Sequence, residues 1–204
     1  MPMYINPSVD IVAFDAQAVR ASVDVVSQAT AADLTRPTTC ADWTLHGLLT
    51  HMVAQHYGFA AASTGDGDPT RWRSRPLGED PVAAYGTASD HVLAAFAADG
   101  VLDREFPLPE FTSGSPFPAR QAISFHFIDY VVHSWDVART LGLPVHFEPP
   151  LLEVALRVAE SVPDGDARLA PGAAFAPKTA WSGTSTLDQI LGLLGRSPDW
   201  RPAE

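Results

Sequence analysis

Apolar residues recur every three or four positions through residues 9–28, and this spacing constrains the fold more than any other feature of the chain. The residues of this stripe are Val9, Val12, Ala16, Val19, Val23 and Val26. An α-helix turns once every 3.6 residues, so the spacing places all of them on one helical face. The stripe predicts a long helix with one side in a core. Ser8 or Asp10 stands where a capping side chain would begin it.

Three further long segments have helical patterns. They are residues 44–63, 80–100 and 118–141, and shorter helical patterns follow at 151–162 and 187–194. The third segment begins with Asp80 as a cap and Pro81 at the first helical position, and Gly142 follows the fourth. Loops rich in proline, glycine and polar residues separate the segments.

These segments predict an all-α fold. Short β-branched runs do not alternate with the helices, which excludes a parallel βαβ arrangement. Four long helices joined by substantial loops are typical of a four-helix bundle. We expect the bundle to occupy residues 1–145 and a short C-terminal extension, residues 146–204, to pack on it.

Composition limits the partners that this chain can have. The 13 basic and 24 acidic residues give a net charge of −11, so a basic surface for nucleic acid or an anionic membrane is not expected. Cys40 is the only cysteine, which excludes an internal disulfide framework. We find no signal-peptide pattern at the start and no apolar stretch of about 18 residues, and therefore expect a cytoplasmic protein.

The fourth helical segment carries the residues most suggestive of chemistry. His126, Asp129 and His133 lie within about 60° of one another on one helical face. Two imidazoles and a carboxylate on a core helix need compensation. In one interpretation Asp129 accepts a hydrogen bond from a histidine and water satisfies the rest. In the other, Asp129 and His133 bind a metal ion together with His51 of the second segment.

Three nitrogen and oxygen ligands would leave one coordination position open, as in catalytic zinc sites. His126 would then either support a metal ligand through a hydrogen bond or act in proton transfer near the metal. His51 taken alone is also explained as a neutral histidine of the core. The chain has no His-Glu-x-x-His zincin motif, nucleophile elbow, P-loop or dinucleotide fingerprint.

Cys40 permits two interpretations. It precedes the second helical segment, where the helix dipole could lower the pKa of a nucleophilic thiol. The alternative is a small buried residue that packs near Trp43, and we favour this second interpretation.

Three stretches together resemble one protein family. They are residues 36–51 (RPTTCADWT followed by LLTH), residues 129–139 (DYVVHSWDVAR) and residues 190–200 (ILGLLGRSPDW). Their pattern is similar to the actinobacterial DinB-like proteins of the mycothiol-dependent maleylpyruvate isomerase group. In that group a motif ending in histidine is followed by an acidic residue, a second histidine and a Gly-Arg-x-Pro-x-Trp tail.

The resemblance implies a DinB-type four-helix bundle that binds a divalent metal, most simply zinc or nickel, through His51, Asp129 and His133. It also implies a transferase or isomerase that uses a low-molecular-weight thiol such as mycothiol on a small electrophilic substrate. A metal-dependent hydrolase and a non-catalytic metal-binding or small-molecule-binding module are the alternatives. Bundles of this type often dimerise through helix faces, so a homodimer is one assembly consistent with the sequence.

Overall fold

The computed structural model describes residues 8–40, 43–109, 115–170, 173–181 and 183–202. Residues 41–42 of the first family-like motif lie outside this part of the chain. The helices are α1 (Ile11–Val26), α2 (Leu45–Ala62), α3 (Pro81–Phe96), α4 (Ala119–Leu141), α5 (Pro149–Ser161) and α6 (Thr186–Leu193). The prediction of an all-α, DinB-type fold is confirmed.

Helix boundaries follow the capping residues. The side chains of Asp10, Thr44 and Asp80 accept hydrogen bonds from backbone N–H groups in the first turns of α1, α2 and α3. Gly142 ends α4 in the left-handed conformation, with φ of 72°. The third helix is shorter than predicted, because it ends at Phe96 and a separate 3₁₀ turn follows Gly100.

The first four helices form the bundle. α1 packs most extensively on α4, and α2 packs most extensively on α3; smaller contacts join α1 to α3 and α2 to α4. Most residues of α4 are buried because it is covered by α1, α2 and α5. A polar residue on α4 therefore has to find its partner inside the protein.

Short elements complete the described structure. β1 (Glu105–Phe106) and β2 (Phe117–Pro118) form an antiparallel pair that the sequence did not predict. α5 packs on α4 and α6. The proposed domain boundary at residue 145 stays a prediction. None of the helices in the described part of the chain combines the length and the apolar character needed to cross a bilayer.

Candidate metal centre

Three predicted ligands from two helices lie together. His51 comes from α2, and Asp129 and His133 lie one turn apart on α4. Ligand atoms of the three side chains are all within 4.8 Å of one another. Nε2 of His133 is 3.3 Å from Oδ1 of Asp129, and the rings of His51 and His133 meet edge to face, 5.4 Å between centroids. The structure thus places these side chains at one point between α2 and α4.

The second ring nitrogen of His133 has a partner of its own. Nδ1 lies 2.8 Å from Oδ2 of Asp136, one turn further along α4. An imidazole that donates its Nδ1–H to a carboxylate presents Nε2 to the opposite side. Here that side holds Asp129 and His51.

Asp136 is fully buried and has several partners. Both its carboxylate oxygens contact the guanidinium of Arg196, at 3.1 Å from Nε to Oδ1 and 3.1 Å from Nη2 to Oδ2. The hydroxyl of Thr39 also donates to Asp136, and the Cys40 thiol lies 3.4 Å from Oδ2. Sequence reasoning missed Asp136 and Arg196 as parts of the site. Their only sequence signal was their place in the second and third family-like stretches.

The charges around the site differ from those of free side chains. Burial, followed by the charge of His133, lowers the pKa of His51 to about 4, so this imidazole is neutral near pH 7. Burial works against a charged His133, but Asp129 and Asp136 outweigh it and raise the pKa of His133 well above its ordinary value. Burial would raise the pKa of Asp136, yet the positive charge of Arg196 dominates and lowers it.

The donor set of His51, Asp129 and His133 fits a divalent transition metal. It offers two imidazole nitrogens and a carboxylate, which are common zinc and nickel ligands. His51 is neutral, as a ligand must be. His133 has the buried carboxylate partner that often supports a ligating histidine, and a metal would have to displace the Nε2 proton that its raised pKa retains. The contact between Asp129 and His133 is equally what a metal-free ion pair would show, so the ligand roles stay a prediction.

A second group of possible ligands is less suitable. Cys40, His133 and Asp136 also have ligand atoms within 4.8 Å of one another. However, Nη2 of Arg196 is 3.3 Å from the sulfur of Cys40 and binds Asp136 as well. A guanidinium at this position repels a cation, so this group is better explained as an ion pair with a neighbouring thiol.

Trp43 borders the His51 side of the site. Its ring centroid is 4.8 Å from that of His51, and the residue is 38% exposed. His51 and Asp129 are half-buried, whereas His133 is buried. The site is therefore open to solvent on the side of His51, Asp129 and Trp43. Cys40 is half-buried and contacts Asp136, the residue bound to Nδ1 of His133.

His126 lies apart from these residues. It is completely buried, with Nδ1 at 2.7 Å from Oδ1 of Asp15 and Nε2 at 3.1 Å from Nδ1 of His56. It precedes His133 by two turns of α4, about 10 Å along the axis. Its role in proton transfer stays a prediction, and these contacts do not support it.

This fold and site define an all-α bundle protein with a candidate metal centre between two helices. The family model described as the mycothiol maleylpyruvate isomerase N-terminal domain matches residues 16–138, which include all three predicted ligands. The chain belongs to this family.

The chain is also similar to two mycobacterial proteins and to a solved structure. Two uncharacterized proteins of Mycobacterium tuberculosis, from strains CDC 1551 / Oshkosh and ATCC 25618 / H37Rv, are each 29% identical over 168 residues, covering 79% of this chain and 84% of theirs. The crystal structure of a mycothiol-dependent maleylpyruvate isomerase superposes with a TM-score of 0.55 at 15% identity. That match covers 74% of this chain and 66% of the other, and it shows a common fold.

Proposed function

We propose that this protein binds a divalent metal, zinc or nickel, through His51, Asp129 and His133. With mycothiol or a similar low-molecular-weight thiol, it would act as an isomerase or transferase on a small electrophilic substrate. The observation that carries the proposal is the convergence of these three side chains, with Nε2 of His133 directed towards the other two. The family assignment supports the choice of thiol chemistry.

Each residue has a defined task in this proposal. His51 supplies a neutral nitrogen, Asp129 a negative charge and His133 a nitrogen held by Asp136. A bound divalent cation with an open position would stabilise the thiolate form of a thiol near neutral pH. The exposed ring of Trp43 would cover one side of a thiol or substrate that enters beside His51.

The position of the chain's own cysteine supports an external thiol. Cys40 contacts Asp136 and Arg196 and is not part of the group formed by His51, Asp129 and His133. Its thiol is therefore poorly placed to act as the nucleophile at the candidate metal. A cytoplasmic site of action is part of the proposal, because low-molecular-weight thiols are kept reduced there.

The test measures turnover with purified protein loaded with Zn²⁺ or Ni²⁺, using mycothiol and maleylpyruvate as substrates. We expect a rate that requires both metal and thiol and that His51→Ala abolishes. His46→Ala is the matched control, because His46 is an exposed histidine near the start of α2. It should keep the wild-type rate.

Other results would point elsewhere. A rate no higher than that of metal-free protein would overturn the proposed activity on maleylpyruvate. Hydrolysis of an ester panel without added thiol would favour the metal-dependent hydrolase. Metal binding without turnover on either set of substrates would favour a binding module.

A further inference from the structure

The orientation of His133 depends on a residue far away in the sequence. Its Nδ1 binds Asp136, and Asp136 is held by Arg196, which is 60 residues further along the chain. Arg196 lies outside the part of the chain that the family model matches, residues 16–138. The C-terminal segment therefore reaches the candidate metal centre through one buried ion pair.

Arg196 is itself firmly placed. Its backbone N–H donates to the carbonyl of Leu191, and its carbonyl accepts a hydrogen bond from the hydroxyl of Thr179. Arg139 of α4 donates to the carbonyl oxygens of Pro198 and Trp200, at 2.9 and 2.8 Å. The segment around Arg196 is thus attached to α4 by Asp136 and again by Arg139, one turn further on.

The contact between Arg196 and Asp136 restricts the carboxylate strongly. Two guanidinium nitrogens bind its two oxygens, and this planar two-point contact allows little rotation. The hydroxyl of Thr39, in the loop before α2, donates to the same carboxylate. The fixed carboxylate of Asp136 therefore restricts the orientation of the His133 imidazole, which it binds through Nδ1.

We propose that Asp136 and Arg196 are positioning residues which together fix Nε2 of His133 towards Asp129 and His51, so that the C-terminal segment sets the metal affinity of the site. This inference rests on the proposed metal-binding function. It extends that function by adding a structural requirement from outside the region that the family model matches.

The Arg196→Met variant gives the sharpest test, because two explanations predict opposite effects. Electrostatics alone predicts tighter metal binding when a positive charge near the site is removed. Loss of a positioning contact predicts weaker binding, and such losses typically cost about 10- to 100-fold in affinity. We expect the Zn²⁺ Kd of Arg196→Met, measured by chelator competition without thiol or substrate, to rise by about 10- to 100-fold.

Two further variants separate positioning from general damage. Arg168→Met removes another buried arginine of the C-terminal region, which binds the backbone carbonyls of Pro163, Ala176 and Leu193 and does not contact Asp136. It should lower Tm but keep the wild-type Zn²⁺ Kd. Arg196→Lys keeps the charge without the two-point contact, so its Kd should lie between those of wild type and Arg196→Met. All Kd values are measured well below each variant's Tm.

The outcomes are distinct. An Arg196→Met protein that binds Zn²⁺ as tightly as wild type, or more tightly, overturns the positioning role and leaves the proposed function standing. Equal weakening in Arg168→Met also overturns it, because the effect would then be a general loss of structure. A wild-type protein that takes up no Zn²⁺ or Ni²⁺ overturns the proposed function together with this inference.

Discussion

The Nδ1 atom of His126 lies 2.7 Å from Oδ1 of Asp15, and neither residue has any exposed surface. The contact continues from Nε2 of His126 to His56 and from His56 to the hydroxyl of Ser89, each at 3.1 Å. Asp15 lies on α1, His126 on α4, His56 on α2 and Ser89 on α3. One buried polar network thus connects all four helices of the bundle, because each helix contributes a partner that the others need.

Asp15→Ala should destabilise the protein strongly. It leaves His126 buried without its carboxylate partner, and loss of one member of a buried hydrogen-bonded pair costs about 3 kcal/mol. Asp15→Asn should cost less, because the amide oxygen can still accept from His126. Urea unfolding measures both. Asp24→Ala, which changes an exposed carboxylate on the same helix, is the control. Equal effects at Asp15 and Asp24 would contradict the role of the network.

His56 should make stability depend on pH. Burial, followed by the charge of His126, lowers the pKa of His56 well below its ordinary value of 6.5. In the unfolded chain His56 takes up a proton below about pH 6.5, whereas in the folded protein it does not, so stability falls as pH falls. Between pH 7 and pH 5 this one group accounts for about 2 kcal/mol of lost stability.

The measurement compares urea unfolding of wild type and His56→Gln at pH 7 and pH 5. Wild type should lose about 2 kcal/mol more than the variant over this interval. His146→Gln, at an exposed histidine, should show the wild-type loss. The idea is wrong if His56→Gln loses as much stability on acidification as wild type does.

The sequence predicted the helices well because their signals are local. Asp10, Thr44 and Asp80 cap helices that the apolar spacing already indicated. The spacing of Asp129 and His133 also placed both on one helical face, and the expectation that a bundle builds a metal site from facing helices added His51. These three side chains do lie together.

Partners on different helices were harder to predict, because they depend on how the helices slide and rotate against one another. His126 shares a face with His133, yet it meets His56 in one layer of the bundle while His133 meets His51 in another. The pair of Asp136 and Arg196 spans 60 residues with no spacing rule to connect them. Long-range packing, rather than local pattern, decides both contacts.

Two glycines in the bundle should respond oppositely to replacement by alanine. A Cβ on Gly58 of α2 would lie 2.3 Å from Cδ2 of Trp72, so Gly58→Ala must displace a buried indole and should cost about 1–3 kcal/mol. A Cβ on Gly86 of α3 meets nothing within 4 Å. Gly86→Ala should therefore stabilise the protein by about 1 kcal/mol through helix propensity. Thermal unfolding gives the Tm of both variants. Equal Tm values for Gly58→Ala and Gly86→Ala would contradict this packing.

Substitution of the candidate ligands tests the metal site itself. His51→Ala, Asp129→Ala and His133→Ala should each lose most bound metal, because a three-ligand site keeps little affinity after losing one donor. In wild type, free metal at 100 times Kd adds about 2.7 kcal/mol of stability, a rise in Tm of roughly 5–10 °C. Chelator should reverse that rise in wild type and in the exposed-histidine control His46→Ala, and should change nothing in the three ligand variants. Metal stoichiometry is measured by elemental analysis, together with Tm with and without chelator. This site would be ruled out if chelator did not change the wild-type Tm and if His51→Ala and His133→Ala retained full metal.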